Sequence, residues 1–274
     1  MHVTRAAYYQ FALASRRSVE PLKSSIVRNI QEIRKQKHFD AYGSPRMHRE
    51  LIKRGIQCCR NTVAKYMRNA GIAANRRTKF RIFTTDSNHS EPVAPNRLNQ
   101  VFETKRLNQV WLTDMTYIAT KEGFTYLCAF VDLHSRKIIG WATSRHIDSE
   151  LVTRAFEQAI VLRSPDPGLI VHSDRGSQYA SESFRSRLAK HRVIQSMSRR
   201  GNCYDNAPME SFFKSYKTEE VQDIVYESHE HATRCATQYI ESFYNSRRLH
   251  SSIGYRSPIE FEQTQRSIDS LVEA

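Results

Sequence analysis

Residues 110–119, VWLTDMTYIA, set large apolar side chains around a single carboxylate, Asp114. The alternation predicts a strand. An Asp in mid-strand is disfavoured by propensity and costly to bury alone, so something must compensate it. Downstream, TYLCAFVDL (125–133) and RKIIGWAT (136–143) read as two more strands, joined by a turn near His134–Ser135. SELVTRAFEQAIVL (149–162) is an amphipathic helix, and GLIVHSD (168–174) is a short strand of buried type that ends at Asp174. Ser181–Lys190 reads as a helix, VIQSM (193–197) as a short strand, and Ala207–Tyr216 opens another helix. Three strands, helix, strand, helix, strand, helix predicts an α/β fold: a mixed five-stranded sheet flanked by helices.

Upstream of this region the chain changes character. The protein has 274 residues and a net charge of +14, yet residues 1–106 hold 22 basic and 7 acidic side chains while residues 107–274 hold 20 and 21. One end is built to meet a polyanion, with nucleic acid the first candidate. Pro21 to Gln36 carries Leu22, Ile26, Ile30 and Ile33 as a helical stripe. In YGSPRMHRELIKRG (42–55), Ser44 can cap, Pro45 suits the first helical position and Gly55 is a stop; Met47, Leu51 and Ile52 supply the buried side. NTVAKYMRNAG (61–71) repeats the grammar, with Asn61 as cap, Val63, Tyr66 and Met67 inward, and Gly71 at the end. Two short helices with a tight link predict a helix-turn-helix that turns Arg60, Lys65, Arg68 and Asn69 toward double-stranded DNA. A plain helical hairpin with a solvated basic face would share this pattern. Residues 75–106, with Pro92, Pro95, Asn96, Asn99 and the basic run RRTKFR (76–81), read as a linker.

Several classes are excluded. No apolar run approaches the roughly 20 residues of a membrane helix, and MHVTRAAYYQFALASRR has no unbroken apolar core for a secretory signal. The five cysteines (58, 59, 128, 203, 235) contain no C-x-x-C, so neither a disulfide scaffold nor a structural zinc is expected.

Three carboxylates stand out by position. Asp114 interrupts a strand, Asp174 sits where a buried strand runs out, and Glu210 follows Pro208 in the first turn of a helix. Acidic oxygen ligands on separate rigid elements suit two Mg²⁺ ions, which can hold a phosphate between them. Asp174 and Glu210 leave 35 residues between them, a spacing expected by chance among ten Asp and 18 Glu, so the interval alone selects nothing. Asp132 and Asp148 read as turn or cap residues, and Asp205 as the cap of the helix carrying Glu210. His172 reads as a hydrogen-bonded strand-end residue, and Trp111 and Trp141 as core. If the helix from Pro208 continues to Lys217, that residue lies on Glu210's face, about 10 Å further along the axis. A tyrosine recombinase would need H-x-x-R and a nucleophilic Tyr; His2–Arg5, His172–Arg175 and His231–Arg234 match, without the surrounding order. A DNA-binding transcription regulator would leave the three carboxylates unexplained; a catalytically inactive derivative of an enzyme is the other alternative.

NQVWLTDMTYI, VDLHSRKIIGW, HSDRGSQYAS, RRGNCYDNAPMESFFKSYKTE and YIESFYNSRRLHSSIGYRSP closely resemble, in this order, the blocks of OrfB-type transposases of the insertion-sequence-three family, which share the retroviral-integrase catalytic core. YGSPRMHREL resembles their helix-turn-helix module, and the likeness spans roughly residues 18–265. The resemblance implies an RNase H-like fold behind a small all-α region. The expected division is 1–74 for DNA binding, 75–106 as linker, 107–265 as the catalytic core with C-terminal helices, and 266–274 as a tail. It implies Asp114, Asp174 and Glu210 as a catalytic, Mg²⁺-binding triad (Mn²⁺ as substitute), Lys217 as an accompanying cation, and Tyr244, Arg247, Arg248 and His250 as DNA contacts. The implied activity is metal-dependent cleavage at the element's ends and strand transfer into target DNA. The implied setting is a homo-oligomer on DNA in the bacterial cytoplasm, joined by an upstream-frame OrfA product or fused to it.

Overall fold

The alternating stretch forms an eleven-residue strand, β1 (Val110–Thr120), in a computed structural model that describes residues 4, 23–74, 91–200, 202–222 and 224–272. The basic run 76–81 and the residues Pro21 and Leu22 of the first expected helix lie outside the described residues. β2 (Gly123–Asp132) returns antiparallel with Thr120 opposite Gly123. Gly123 has φ +110°, which a residue without Cβ adopts without strain. β3 (Ile138–Ser144) completes a meander. Its turn is built by Asp132, whose Oδ1 accepts from the N–H of His134 (2.8 Å) and Ser135 (3.2 Å), an Asx turn as the sequence suggested.

α4 (Ser149–Arg163) begins on Asp148, whose carboxylate accepts from the Leu151 N–H at 2.8 Å. The chain then enters β4 (Ile170–Ser173), parallel to β1, and passes through a single turn, α5 (Ser177–Ala180), and α6 (Glu182–Lys190) to β5 (Ile194–Met197), parallel to β4. The strand order is β3-β2-β1-β4-β5. A three-stranded antiparallel meander extended by two parallel strands is the RNase H-like sheet.

One face of this sheet is closed by α4 and α6. Trp111, Met115, Phe130 and Ile139 meet Leu151, Phe156, Ala159, Phe184 and Leu188 in one buried cluster, each large side chain contributing about 1.5–3 kcal/mol. At Gly140 the helix comes so near that a Cβ would lie 2.2 Å from the Ala155 carbonyl oxygen. The next residue, Trp141, points to the other face by strand periodicity. It was expected in the core, but it is half-exposed, and its Nε1 donates to Glu241 at 3.0 Å.

β4 pairs with β1 only at residues 110–112, so the rest of that edge needs another cover. The chain after β5 supplies it: a 3-10 turn (Cys203–Asn206), α7 (Ala207–Tyr216) and a π-helical turn (Lys217–Val221). Asn206 Nδ2 donates to the Thr113 carbonyl at 3.1 Å. At the far end, the Tyr226 N–H donates to the Ala119 carbonyl (3.1 Å), and the Lys121 N–H donates to the Tyr226 carbonyl (2.8 Å). α8 (His229–Thr237), a second π segment (Gln238–Tyr244) and α9 (Pro258–Val272) follow. Residues 91–108 carry no helix or strand. They are nonetheless pinned down, through Asn96 and Gln100 to Asp205 and through the Arg97 N–H to Ser196.

Residues up to Arg77 form a separate unit. α1 spans 23–34, followed by α2 (Ser44–Lys53) and α3 (Arg60–Asn69). Ile26, Ile30, Ile33, Met47, Leu51, Val63 and Met67 form its buried side. Gly55 and Gly71, at φ +79° and +66°, close α2 and α3 identically. The N–H of Ile56 and of Ile72 reaches back to the carbonyls of Leu51 and Met67, the Schellman arrangement that left-handed glycines permit. The starts differ from expectation by a residue or two: the N-cap positions fall on Gly43 and Cys59, leaving Ser44 and Asn61 inside the first turns.

Candidate active site

The short β1–β4 pairing decides where the carboxylates fall. Asp114 lies just past the last residue of β1 that β4 covers, and Asp174 directly follows the end of β4. Glu210 projects from the first turn of α7, the helix laid along the same open edge, where a negative charge also suits the helix dipole. The two aspartates are each held by a backbone donor. Asp114 Oδ1 accepts from the Met115 N–H at 2.7 Å, and Asp174 Oδ1 from the Gly176 N–H at 3.0 Å. A Cβ on Gly176 would lie 3.2 Å from that oxygen and 2.8 Å from Gln178 Oε1, so a side chain there would push the Gln178 amide aside.

The three carboxylates feel one another. Burial first, then the charge of Asp174 and, more weakly, that of Glu210, push the Asp114 carboxyl well above the ordinary carboxylate range. The Met115 N–H and the Lys217 ammonium pull it the other way. Among the described residues, no three His, Cys, Asp or Glu side chains close into a ready-made metal cage. The donor set nevertheless fits a hard divalent cation. Mg²⁺ is ordinarily held by one or two carboxylates together with waters and substrate phosphate, not by an all-protein cage, and clustered like charges are what such an ion neutralises.

Lys217 opens the π-helical turn where the regular α-helix ends at Tyr216. Its Nζ lies 4.3 Å from the centre of the Tyr117 ring, on the same strand as Asp114. The ammonium thus lies against β1, within the field of Asp114. Tyr117 went unrecognised in the sequence because strand and helix meet only in the fold.

His172 is placed as the sequence suggested. Its ring nitrogens bond Ser196 Oγ (2.8 Å) and Ser198 Oγ (3.2 Å), and burial pushes its pKa down to about 4. Asp205 requires a correction. It caps nothing. Its carboxylate is fully buried and accepts from the N–H (2.8 Å), Nε (3.0 Å) and Nη2 (2.8 Å) of Arg199, from Asn96 (2.9 Å) and from Gln100 (3.0 Å). The hydrogen bond from the Arg199 side chain is the main reason its carboxyl sits far below the usual range.

Both groups make the core acid-sensitive with a definite sign. His172 is depressed below its unfolded value of about 6.5, and Asp205 below about 3.9. Each therefore contributes stability above its unfolded pKa and loses it as pH falls. The melting temperature is expected to start dropping below about pH 6.5 and to fall further below about pH 4. In Asp205→Asn the second drop should be missing while stability at pH 7 is already reduced. Melting curves across pH 3–8 check both.

The C-terminal candidates are also rearranged. Tyr244, Arg248 and His250 are buried, at 3%, 3% and 9% exposure. Arg248 is occupied by Glu219, with Nε at 2.7 Å from Oε2 and Nη2 at 2.7 Å from Oε1, and also donates to Ser215 Oγ at 2.8 Å. Tyr239 completes the cluster by donating to Glu219 at 2.7 Å. Of the four, only Arg247 is exposed, so a DNA contact is retained for Arg247 alone. In the N-terminal unit, Arg60, Lys65, Arg68 and Asn69 all lie exposed on α3.

An integrase core domain model matches residues 104–203, a second integrase core domain model residues 191–258, and an HTH-like domain model residues 22–80. Among relatives, the chain is 42% identical over 227 residues to the transposase for insertion sequence element IS904 of Lactococcus lactis subsp. lactis (strain IL1403), covering 82% of this chain and 89% of the relative. It is 38% identical over 265 residues to the insertion element IS600 uncharacterized 31 kDa protein of Shigella sonnei, covering 95% of each. It is 39% identical over 221 residues to transposase InsF for insertion sequence IS3A of Escherichia coli (strain K12), covering 81% and 76%. Solved structures similar to it include the HTLV-2 integrase catalytic core domain in complex with magnesium (trimeric form), at 18% identity and TM-score 0.43 over 56% of this chain and 95% of that one. With relatives near 40% identity along most of its length, and the HTH-like and integrase core models in the expected order, this chain belongs to the IS3 family of insertion-sequence transposases.

Proposed function

We propose that Asp114, Asp174 and Glu210 are the catalytic carboxylates of a Mg²⁺-dependent transposase that cuts at the 3′ ends of its element and joins them to target DNA. The observation that carries this reading is the half-buried Asp114 at the open edge of β1, whose proton affinity is raised by burial first and then by two further carboxylates from separate elements. When bound, the divalent cation supplies charge neutralisation at the phosphate and activation of the attacking oxygen, with Mn²⁺ as a substitute. The chain's own part is to hold the three carboxylates on rigid elements at the edge of β1. In cleavage, water adds to phosphorus as the bond from phosphorus to the element's 3′ oxygen breaks, leaving a 3′-hydroxyl. In strand transfer, that hydroxyl forms a bond to a target phosphorus as the target's own 3′ oxygen leaves. Lys217, steadied on Tyr117, meets a neighbouring phosphate.

The exposed Arg60, Lys65, Arg68 and Asn69 of α3 are proposed to read the element's ends, with Arg247 on the DNA backbone. The two ends of an element call for more than one copy of the chain, and an OrfA product or fusion is proposed to add DNA-binding helices. No helix of the described residues is long and apolar enough to cross a membrane. The test is to incubate the protein with DNA carrying the flanks of its own gene. Nicks at the 3′ ends are expected with Mg²⁺ or Mn²⁺ and none in EDTA; end binding with no nick under either metal contradicts the reading.

A further inference from the structure

Gln178 is 9% exposed and its Oε1 is sealed from solvent, yet among the described residues no donor reaches that oxygen. Buried polar atoms without a partner are rare in folded proteins, and each has a cause. Local structure does not supply one here. Gln178 belongs to α5, the single turn that follows Asp174, whose backbone is well tied. The Tyr179 and Ala180 N–H groups donate to the Gly176 carbonyl at 3.0 and 3.2 Å, and Ser181 Oγ donates to the Gln178 carbonyl at 2.8 Å. Gln195 Nε2 donates to the Tyr179 carbonyl at 2.7 Å, and the buried Tyr179 hydroxyl meets Thr113 Oγ1 at 3.2 Å. From this fixed turn the Gln178 side chain reaches back over Gly176. There Gln178 Oε1 and Asp174 Oδ1 flank one point, the place a Cβ of residue 176 would take, at 2.8 and 3.2 Å. An acceptor oxygen thus sits in the negative field of Asp174, where it is least favoured without a donor.

We infer that Gln178 is a positioning residue for the divalent cation: its Oε1 accepts a hydrogen bond from a water in the hydration shell of the cation that Asp174 holds. Mg²⁺ sheds its waters reluctantly, and the waters it keeps present strong donors that need acceptors. A neutral amide oxygen meets that need without adding charge to carboxylates that already repel one another. Partners one layer out from the cation orient what binds it directly, and their loss weakens its binding. The oxygen that is a burden in the cation-free protein becomes a favourable contact when the cation is present. In HSDRGSQYAS a Gln four residues after an Asp reads as an ordinary polar residue at a helix start. Only its burial and its place beside Asp174 single it out.

This inference rests on reading the carboxylates as a cation site, and its test separates the two. Full-length wild type, Gln178→Met, Gln178→Glu and, for comparison, Gln195→Leu are melted in EDTA and across a Mg²⁺ titration. Gln178→Met keeps the length of the side chain and removes the unpartnered acceptor, so it should melt at or above wild type in EDTA. The Mg²⁺ concentration it needs for a given gain in melting temperature should rise roughly 10- to 100-fold. Gln178→Glu retains an acceptor oxygen and should need Mg²⁺ within a few-fold of wild type. Gln195→Leu breaks a bond within the fold, so it should melt lower in EDTA and respond to Mg²⁺ as wild type does. A Gln178→Met response equal to that of wild type overturns the positioning role while the carboxylate reading stands. The same holds if Gln178→Met melts well below wild type in EDTA, which would make the amide a structural group. Loss of the response in Gln178→Glu as well also overturns it, because the amide would then serve as a donor to Asp174. A wild-type protein that gains nothing from Mg²⁺ counts against the carboxylate reading itself, and the role of Gln178 falls with it.

Discussion

Single replacement of Asp114 by Asn, Asp174 by Asn or Glu210 by Gln is expected to lower end cleavage and strand transfer by at least about a thousandfold, while end binding is retained. Each variant removes one charge from a shared cation site, and a site of this kind contributes several kcal/mol of transition-state stabilisation, each 1.36 kcal/mol being tenfold. The losses should not add. A double variant is expected to be no worse than the poorer single one, because residues acting as a unit fail together. Rates on a pre-bound DNA end check this. Any single variant that cuts within a few-fold of wild type removes that residue from the triad.

The second large effect concerns stability. Arg248→Ala strands the Glu219 carboxylate, only 3% exposed, without its guanidinium. Breaking a buried pair from one side costs about 3–5 kcal/mol, and for a domain of this size about 2–4 °C of melting temperature per kcal/mol. A drop of roughly 6–20 °C is therefore expected in thermal unfolding. Arg248→Lys keeps the charge but not the planar fork and should recover only part of it. Arg247→Ala, at the exposed neighbour, should leave the melting temperature nearly unchanged and weaken DNA binding instead. If both variants shift DNA affinity alike and neither shifts melting, Arg248 is at the surface and the buried cluster is wrong.

These two expectations mark where sequence reading succeeded and where it stopped. β1 to β5, α4 and α6 were legible because strand alternation and helical stripes are local. Asp114 was legible because an acid inside an apolar strand contradicts that pattern. Asp174 and Glu210 gained their meaning from the quoted sequence blocks, since a 35-residue interval is common by chance. Asp205 was misread as a cap. Two of its partners, Asn96 and Gln100, lie 109 and 105 residues away, and no local pattern records such bonds. Tyr244, Arg248 and His250 failed for the same reason: a run of cations and aromatics looks like a surface until the π-helical turn at Lys217–Val221 brings Glu219 to Arg248. Lys217 was expected on Glu210's face of the helix, and the contact of its ammonium with Tyr117 of β1 is one that no local pattern records. The cap positions at Gly43 and Cys59 slipped by one or two residues, the ordinary uncertainty at helix starts.

The central claim is that Asp114, Asp174 and Glu210 form one cation site. Thermal unfolding of wild type and Asp114→Asn, side by side in EDTA and in Mg²⁺, tests it most directly. Without a cation, the amide relieves a charge that burial and two like neighbours disfavour, so the variant should melt at or above wild type. With the cation, wild type should gain stability as RT ln(1 + [Mg²⁺]/Kd), and the variant should gain little, so the order reverses. A variant that is less stable than wild type in EDTA, yet gains as much from Mg²⁺, would contradict the site.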